Sequence, residues 1–133
     1  MITAVDTNVL LDVLTADPRF GNASRGALAR CIQEGGLVAC EVVWAETAAA
    51  FPTRKAFDRA MKTMGLAFEA LDEPAAASAG LSWRRYRVAG GTRRRILTDF
   101  LIGAHADLHA DRLLTRDRGF YRSYFSRLTV LEP

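Results

Sequence analysis

Four acidic side chains of the sequence stand where an α/β fold could bring carboxylates together: Asp6, Glu46, Asp99 and Asp117. Asp6 directly follows a short apolar run that suits a buried strand, and Asp117 lies just past the end of another such run. Carboxylates gathered at one edge of a sheet repel one another strongly unless a divalent cation neutralises them. Oxygen ligands suit hard ions such as Mg²⁺ or Mn²⁺, which support in-line phosphoryl chemistry by activating a water.

Each acid also has an ordinary structural explanation. Asp6 could cap the helix that it precedes, Asp99 could favour the positive end of its own helix, and Asp117 could stabilise a turn. Glu46 could pair with an arginine, although a carboxylate within such an apolar helix is costly without a partner or cation. The group is harder to dismiss than its members, because strand ends and helix N-termini meet at one edge of an α/β sheet.

Alternating apolar runs and helical patterns predict the elements that position these acids. Strands are predicted at residues 2–5, 37–40, 66–71, 112–115 and 128–131. Helices are predicted at residues 8–14, 23–33, 42–51, 54–64, 74–88 and 99–110, with Thr98 as the cap of the last. This alternation indicates the α/β class, as an α/β/α sandwich around a central, mainly parallel five-stranded sheet.

Length and composition predict one soluble domain over residues 1–133, of which 50% are hydrophobic and 25% charged. No apolar run approaches the roughly 20 residues of a membrane span, and the N-terminus lacks the basic segment of a signal peptide. We therefore expect a cytoplasmic protein without a membrane partner. The two cysteines, Cys31 and Cys40, agree with a reducing compartment.

A basic segment lies between Pro74 and Thr98, where the sequence has no acidic residue. Its arginines are Arg84, Arg85, Arg87, Arg93, Arg94 and Arg95. Arginine forks match phosphate geometry, and the aromatic rings of Trp83 and Tyr86 among them could stack on bases. The segment therefore favours a nucleic-acid partner, with a plain solvated helix face as the alternative.

Four segments carry a resemblance to a known family: VDTNVLLD at residues 5–12, WAET at 44–47, ILTDFLIGAHA at 96–106 and LTRDRGF at 114–120. With them, nearly the whole chain resembles the PIN-domain family, and in particular the VapC toxins of bacterial VapBC toxin–antitoxin modules. Two positions depart from the usual pattern. Thr98 stands where close relatives often carry proline, and Cys40-Glu41 stands where Ser or Thr is common.

The resemblance implies a metal-dependent endoribonuclease that acts as the toxin of a type II toxin–antitoxin system. Such an enzyme cleaves structured RNA, either tRNA or rRNA, with Mg²⁺ or Mn²⁺ and so inhibits translation. The resemblance places the catalytic and metal-holding roles on Asp6, Glu46, Asp99 and Asp117, with Asn8 and Thr115 orienting them. It also implies a homodimer and a cognate VapB-like antitoxin, which neutralises the toxin and which the six arginines could contact in place of RNA.

Other site chemistries fit the sequence less well. His105 and His109 have the spacing of a zinc metalloprotease helix, but Ala106 stands where that motif needs glutamate. A phosphoacceptor domain would need a lysine at a strand end, whereas Lys55 and Lys62 both fall within a predicted helix. A non-catalytic binding module would fit a chain that had lost these acids, but all four are present.

Overall fold

Strands and helices alternate along the chain in the computed structural model, which describes residues 1–92 and 95–133. The elements are β1 (Ile2–Val5), α1 (Thr7–Leu14), α2 (Gly21–Glu34), β2 (Gly36–Ala39), α3 (Glu41–Ala48), α4 (Arg54–Thr63), β3 (Leu66–Phe68), α5 (Glu73–Val88), α6 (Leu97–His109), β4 (Arg112–Leu114), α7 (Arg118–Tyr124) and β5 (Thr129–Leu131). Arg93 and Arg94 of the basic segment lie outside the described residues.

The strands form one five-stranded sheet in the order β3-β2-β1-β4-β5, and every pair is parallel. The predicted α/β fold with a central parallel sheet is confirmed. In the middle strand, Thr3 pairs with Leu37 of β2 on one side and with Arg112 of β4 on the other. The chain therefore leaves β1 and β4 in opposite directions, and this opens a crevice at their carboxyl ends.

Helices cover both faces of the sheet. Thr3, Ala4 and Val5 are consecutive and all buried, and successive side chains of a strand point to opposite faces. Helix α1 packs on α2 and α3, and helix α5 packs on α6. None of the helices in residues 1–92 and 95–133 has both the length and the apolar character that crossing a membrane requires.

Most element boundaries differ from the prediction by one to three residues, and two of these differences have a clear cause in the side-chain contacts. Helix α6 begins at Leu97 rather than Asp99, because the Asp99 carboxylate reaches back and accepts the backbone N–H of Ile96 at 3.1 Å. Thr98 therefore lies inside the first turn and is not the cap. Strand β3 ends at Phe68 rather than at residue 71, since the backbone N–H of Leu71 donates to the Glu41 carboxylate at 2.7 Å instead of to a strand.

Helix α7 was not predicted from the sequence. Its seven residues are too few for a clear helical period, and they include a glycine and three aromatic residues that favour other structures. Tertiary contacts decide the helix, because Phe120 and Tyr121 are buried against the core and Phe120 packs edge-to-face on Phe100 of α6. The segment after β4 is thereby held close to the N-terminus of α6.

Two helical glycines provide a matched test of packing. A Cβ at Gly103 of α6 would overlap the Phe125 ring, whereas a Cβ at Gly80 of α5 would meet nothing within 4 Å. We expect Gly103→Ala to lower the free energy of unfolding by about 1–3 kcal/mol, as overpacking of a core does. Gly80→Ala should raise it by about 0.5–1 kcal/mol, because alanine favours a helix. Urea unfolding measures both, and a shift of both variants in the same direction would contradict this packing.

Candidate active site

Asp6 stands at the point where the chain leaves β1 for α1. Its backbone N–H donates to the Leu114 carbonyl of β4 at 3.0 Å, so the two strands are still paired there. One carboxylate oxygen caps α1 by accepting the Thr7 N–H at 2.7 Å, and the other accepts the Thr115 hydroxyl at 2.8 Å. Asp6 is only 6% exposed. It is therefore a helix cap and also a carboxylate fixed in the crevice between β1 and β4.

Asn8 and Thr115 connect the start of α1 to the loop after β4. The Asn8 amide nitrogen lies 3.4 Å from an Asp6 oxygen and 3.4 Å from the Thr115 hydroxyl. The side-chain Oδ1 of Asn8 accepts the Arg116 N–H at 3.3 Å, and the Thr115 hydroxyl accepts the Asp117 N–H at 3.0 Å. These hydrogen bonds set where Asp6 and Asp117 stand relative to each other.

Asp99 and Asp117 face this crevice from α6 and from the start of α7. Both are partly buried, and the negative charge of Asp117 raises the pKa of Asp99, although burial raises it more. Arg95 forms an ion pair with Asp117, and its guanidinium lies 4.3 Å from the centroid of the Phe120 ring. Of the described arginines in the basic segment, Arg95 is therefore the one whose ion pair reaches these acids.

Glu46 lies on α3, and its carboxylate accepts the Thr7 hydroxyl at 2.8 Å. The backbone N–H of the same residue, Thr7, donates to Asp6. Thr7 therefore links the Glu46 carboxylate to the Asp6 carboxylate. Glu46 is exposed, so the argument that its apolar helix makes this carboxylate costly was wrong. Val43 and Thr47 are the buried residues of this helix, and Glu46 lies on its exposed side.

A model of the PIN domain matches residues 3–126 of the chain. The chain belongs to the PIN-domain family. PIN domains are nucleases, and they generally use divalent metal ions. A search of curated protein sequences gives no match.

Solved structures with this fold span nearly the whole chain. One is VapBC2 from Rickettsia felis bound to a DNA fragment from its promoter, with a TM-score of 0.75, 17% identity and coverage of 99% of this chain and 98% of that chain. Another is VapBC-1 from nontypeable Haemophilus influenzae, with a TM-score of 0.72, 19% identity and coverage of 99% and 98%. FitAcB from Neisseria gonorrhoeae has a TM-score of 0.66, 22% identity and coverage of 98% and 96%. At these identities the likeness shows the fold.

Electrostatics distinguish the carboxylates of this PIN domain from ordinary surface acids. Burial raises the pKa of Asp6 to about 6, and the charge of Asp99 adds to this rise. Hydrogen bonds from Thr115, Tyr121 and the Thr7 N–H oppose the rise, because they favour the charged form. Burial, followed by the charges of Asp6 and Asp99, also raises the pKa of the Tyr121 phenol well above its ordinary value. Negative charge is thus concentrated in a partly dehydrated crevice.

The chemistry of this crevice fits a hard divalent cation. Its donors are carboxylate oxygens, with no thiol or imidazole among them, and a cation would offset the charge that Asp6 and Asp99 concentrate. In the part of the chain that the structure describes, no three metal-ligating side chains converge closely enough to hold an ion. In this structure Asp117 pairs with Arg95, and Glu46 accepts a hydrogen bond from Thr7.

Two residues that support this PIN domain site, Tyr121 and Asp12, were not predicted from the sequence. The phenol of Tyr121 lies close enough to Asp6 to lower the pKa of that carboxylate, and Tyr121 belongs to the unpredicted helix α7. Asp12 of α1 is buried, where it accepts two hydrogen bonds from Arg116 and one from the Ser24 hydroxyl. A charged residue on the inner face of an apolar helix was a signal for a buried partner.

The two histidines lie in a separate part of α6. His105 is buried, and burial lowers its pKa. The Nε2 atom of His109 lies 2.9 Å from a carboxylate oxygen of Asp72, at the start of α5. Within residues 1–92 and 95–133, these side chains belong to no three-ligand metal group, so the structure gives the zinc alternative no support.

Proposed function

We propose that this PIN domain is a metal-dependent endoribonuclease and the toxin of a type II toxin–antitoxin system of the VapC kind. The observation that carries the proposal is the crevice between β1 and β4, where the charge of Asp99 reaches the buried Asp6 and the charge of Asp117 reaches Asp99. Carboxylates of this kind, together with a nearby arginine, suit hydrolysis of a phosphodiester.

Asp6 and Asp99 would hold Mg²⁺ or Mn²⁺, with Asp117 and Glu46 completing the oxygen ligands. When bound, the ion supplies a more acidic water and neutralises charge on the scissile phosphate. Thr115 and Asn8 keep the Asp6 carboxylate oriented through their hydrogen bonds. Arg95 exchanges its Asp117 partner for the phosphate of the substrate, since a guanidinium binds either anion with the same fork geometry.

The substrate proposed is structured RNA, either tRNA or rRNA, whose cleavage inhibits translation in the cytoplasm. The exposed arginines of α5, namely Arg84, Arg85 and Arg87, add positive charge that suits an RNA backbone or an acidic antitoxin surface. The same roles are proposed for Arg93 and Arg94.

The partners proposed are a second copy of the chain in a homodimer and a cognate VapB-like antitoxin. The antitoxin would place a basic residue among the acids and so block cation or substrate. The likeness in fold to chains of the VapBC2 and VapBC-1 structures supports such a partner.

The purified protein tests the enzymatic part of the proposal. We expect tRNA or rRNA to be cleaved with Mg²⁺ or Mn²⁺ and left intact with a chelator. Asp99→Asn should abolish cleavage, whereas Asp107→Asn on the same helix should not. Sequencing RNA ends after induction in cells then identifies the RNA and the position of the cut. Cleavage that persists in Asp99→Asn, or no cleavage of any cellular RNA, would overturn the assignment.

Co-expression tests the toxin role. A small partner encoded beside this gene should co-purify with the chain and suppress its cleavage of RNA. Size-exclusion chromatography with light scattering measures whether the free chain is a dimer. Full activity in the complex would contradict neutralisation by an antitoxin.

A further inference from the structure

A pocket of about 530 Å³ opens beside the carboxylates, at the end of α5. We call it the Trp83 pocket, and its lining residues are Trp83, Arg87, Gly91, Thr92, Arg95 and Ile96. Arg95 belongs both to this pocket and to the ion pair with Asp117. The pocket and the proposed active site therefore share one residue, Arg95.

The loop wall of the Trp83 pocket is anchored to the core. The Gly91 N–H donates to the Tyr86 carbonyl at 2.8 Å, and the Tyr86 hydroxyl donates to the Thr92 carbonyl at 2.7 Å. Gly91 lies so close to the Tyr86 ring that a Cβ at position 91 would overlap it. The Tyr86 ring in turn packs against Phe100 and Tyr124. Gly91 and Thr92 are thus held in place without a ligand, so binding beside them would require little ordering of these two residues.

Trp83 and Arg87 give this pocket its chemistry. They are one helical turn apart, and the Arg87 guanidinium carbon lies 4.8 Å from the centroid of the Trp83 ring. An indole face and a guanidinium plane are the two surfaces on which proteins stack unpaired nucleobases. Ile96 adds an apolar side chain that is 56% exposed. The sequence from residue 74 to residue 98 has no acid, so no acidic side chain of that segment repels a phosphate there.

We propose that the Trp83 pocket binds an unpaired nucleobase of the RNA substrate, next to the phosphate that is cleaved. The base stacks on the Trp83–Arg87 pair, and Arg95 contacts the phosphate between this base and the carboxylates. The identity of the ligand as RNA rests on the proposed function. The pocket would make the enzyme select a single-stranded loop or bulge within structured RNA, since a paired base does not expose its face.

Tryptophan fluorescence tests the pocket directly, because Trp44 and Trp83 are the two tryptophans of the chain. Trp44→Phe leaves Trp83 as the only tryptophan that reports on binding. Phenylalanine is chosen because Trp44 packs on the rings of Phe57 and Phe68, so an aromatic ring is kept there. With a chelator present, a short single-stranded oligoribonucleotide is titrated into this variant. An abasic ribose-phosphate chain of the same length is the matched control ligand. We expect the oligoribonucleotide to quench Trp83 and the abasic chain to leave its emission unchanged.

Filter binding with variants of the unmodified chain measures the same contact independently. Trp83→Ala should weaken binding of the oligoribonucleotide about tenfold, a typical loss for one stacked base. Trp83→Phe should retain most of the affinity. Leu81→Ala, an exposed residue of the same helix, should bind as the unmodified chain does. Binding of the abasic chain should not distinguish Trp83→Ala from Leu81→Ala.

The outcomes separate this inference from the proposed function. Quenching of Trp83 and a loss of affinity in Trp83→Ala support the pocket even if no RNA is ever cleaved. Cleavage together with unchanged binding by Trp83→Ala overturns the pocket and leaves the nuclease assignment standing. Equal affinity of the unmodified chain for the oligoribonucleotide and the abasic chain also overturns it. If Trp83→Ala binds RNA as well as the unmodified chain does but no longer binds a protein partner, the pocket is a protein-binding site and the inference is overturned.

Discussion

Replacing Asp6 with asparagine is expected to abolish RNA cleavage and, in the same variant, to raise the free energy of unfolding of the metal-free protein at neutral pH. Cleavage should fall more than about a hundredfold, since even loss of an outer partner of a metal ligand costs about 10–100-fold. Stability should rise because burial makes the charged carboxylate costly, which is why the pKa of Asp6 rises from 3.8 to about 6.

The sign of the pH dependence follows from that rise. Below pH 3.8, Asp6 is protonated in the folded and the unfolded chain, and its ionisation costs the fold nothing. Between pH 3.8 and about 6 the folded chain holds the proton more tightly, so stability falls as pH rises. Above about pH 6 the charged carboxylate lowers the free energy of unfolding by its full amount. This amount is about 3 kcal/mol, because each unit of the pKa rise corresponds to about 1.4 kcal/mol. Asparagine has no charge and so removes this cost. Part of the gain in stability is lost, because a neutral side chain forms weaker hydrogen bonds with Thr7 and Thr115 than the carboxylate does.

Urea unfolding of the two proteins in chelator, at pH 7.5 and at pH 4, measures the effect. The stability advantage of Asp6→Asn should be about 1–3 kcal/mol at the higher pH and should shrink at the lower pH. Asp107→Asn is the control, because the side chain of Asp107 is only partly buried and lies two turns beyond Asp99 on α6. Added Mg²⁺ should stabilise the unmodified chain and leave Asp6→Asn unchanged. A variant less stable than the unmodified chain at pH 7.5 would contradict the assigned cost of this buried charge.

The second large effect concerns the pair of Asp12 and Arg116, which joins α1 to the loop after β4. Two hydrogen bonds link the side chains, from Nε at 2.8 Å and from Nη2 at 3.0 Å. The Asp12 side chain is only 4% exposed, and the Ser24 hydroxyl donates to it at 2.7 Å. The Arg116 guanidinium also lies 4.1 Å from the centroid of the Phe20 ring. Arg116→Ala would therefore leave a buried carboxylate with one neutral partner.

We expect Arg116→Ala to lower the free energy of unfolding by about 3 kcal/mol, the low end for breaking a buried ion pair, because Arg116 is partly exposed. Arg118→Ala is the matched control, since Arg118 pairs with Glu132 at the surface, and its loss should cost less than about 1 kcal/mol. A double variant, Asp12→Leu with Arg116→Met, should recover much of the loss, because it removes both charges. Equal losses in Arg116→Ala and Arg118→Ala would show that the pair is not effectively buried.

Arg116 lies between Thr115 and Asp117 in the chain, so its variant should also weaken the site. At a temperature where Arg116→Ala remains folded, its cleavage rate should be lower than that of Arg118→Ala. The physical reason is that the Arg116 backbone donates to Asn8 and its side chain ties the same loop to α1. A rate equal to that of the control would limit the role of the pair to stability.

The sequence by itself determined the order and class of the elements, because short apolar runs and helical periods are local properties. It also placed Asp6 and Asp99 where a strand ends and a helix starts, and the structure has them at the crevice between β1 and β4. Asp117 was proposed from its position after a strand, whereas Glu46 was proposed from its apolar helix and from the family resemblance. In the structure, each of these two acids has a partner that the sequence did not predict, Thr7 and Arg95 respectively.

Only the tertiary structure decided how the acids are held, because their partners are distant in the sequence or hidden in weak local patterns. Thr115 meets Asp6 across 109 residues, and Arg116 meets Asp12 across 104 residues. Helix α7, which brings Tyr121 to Asp6, forms through burial of its aromatic side chains and not through helix propensity. The four carboxylates can thus be proposed from residue type, position and family resemblance, whereas the burial of Asp6 and the distant partners of three of them follow from long-range packing that no local pattern encodes.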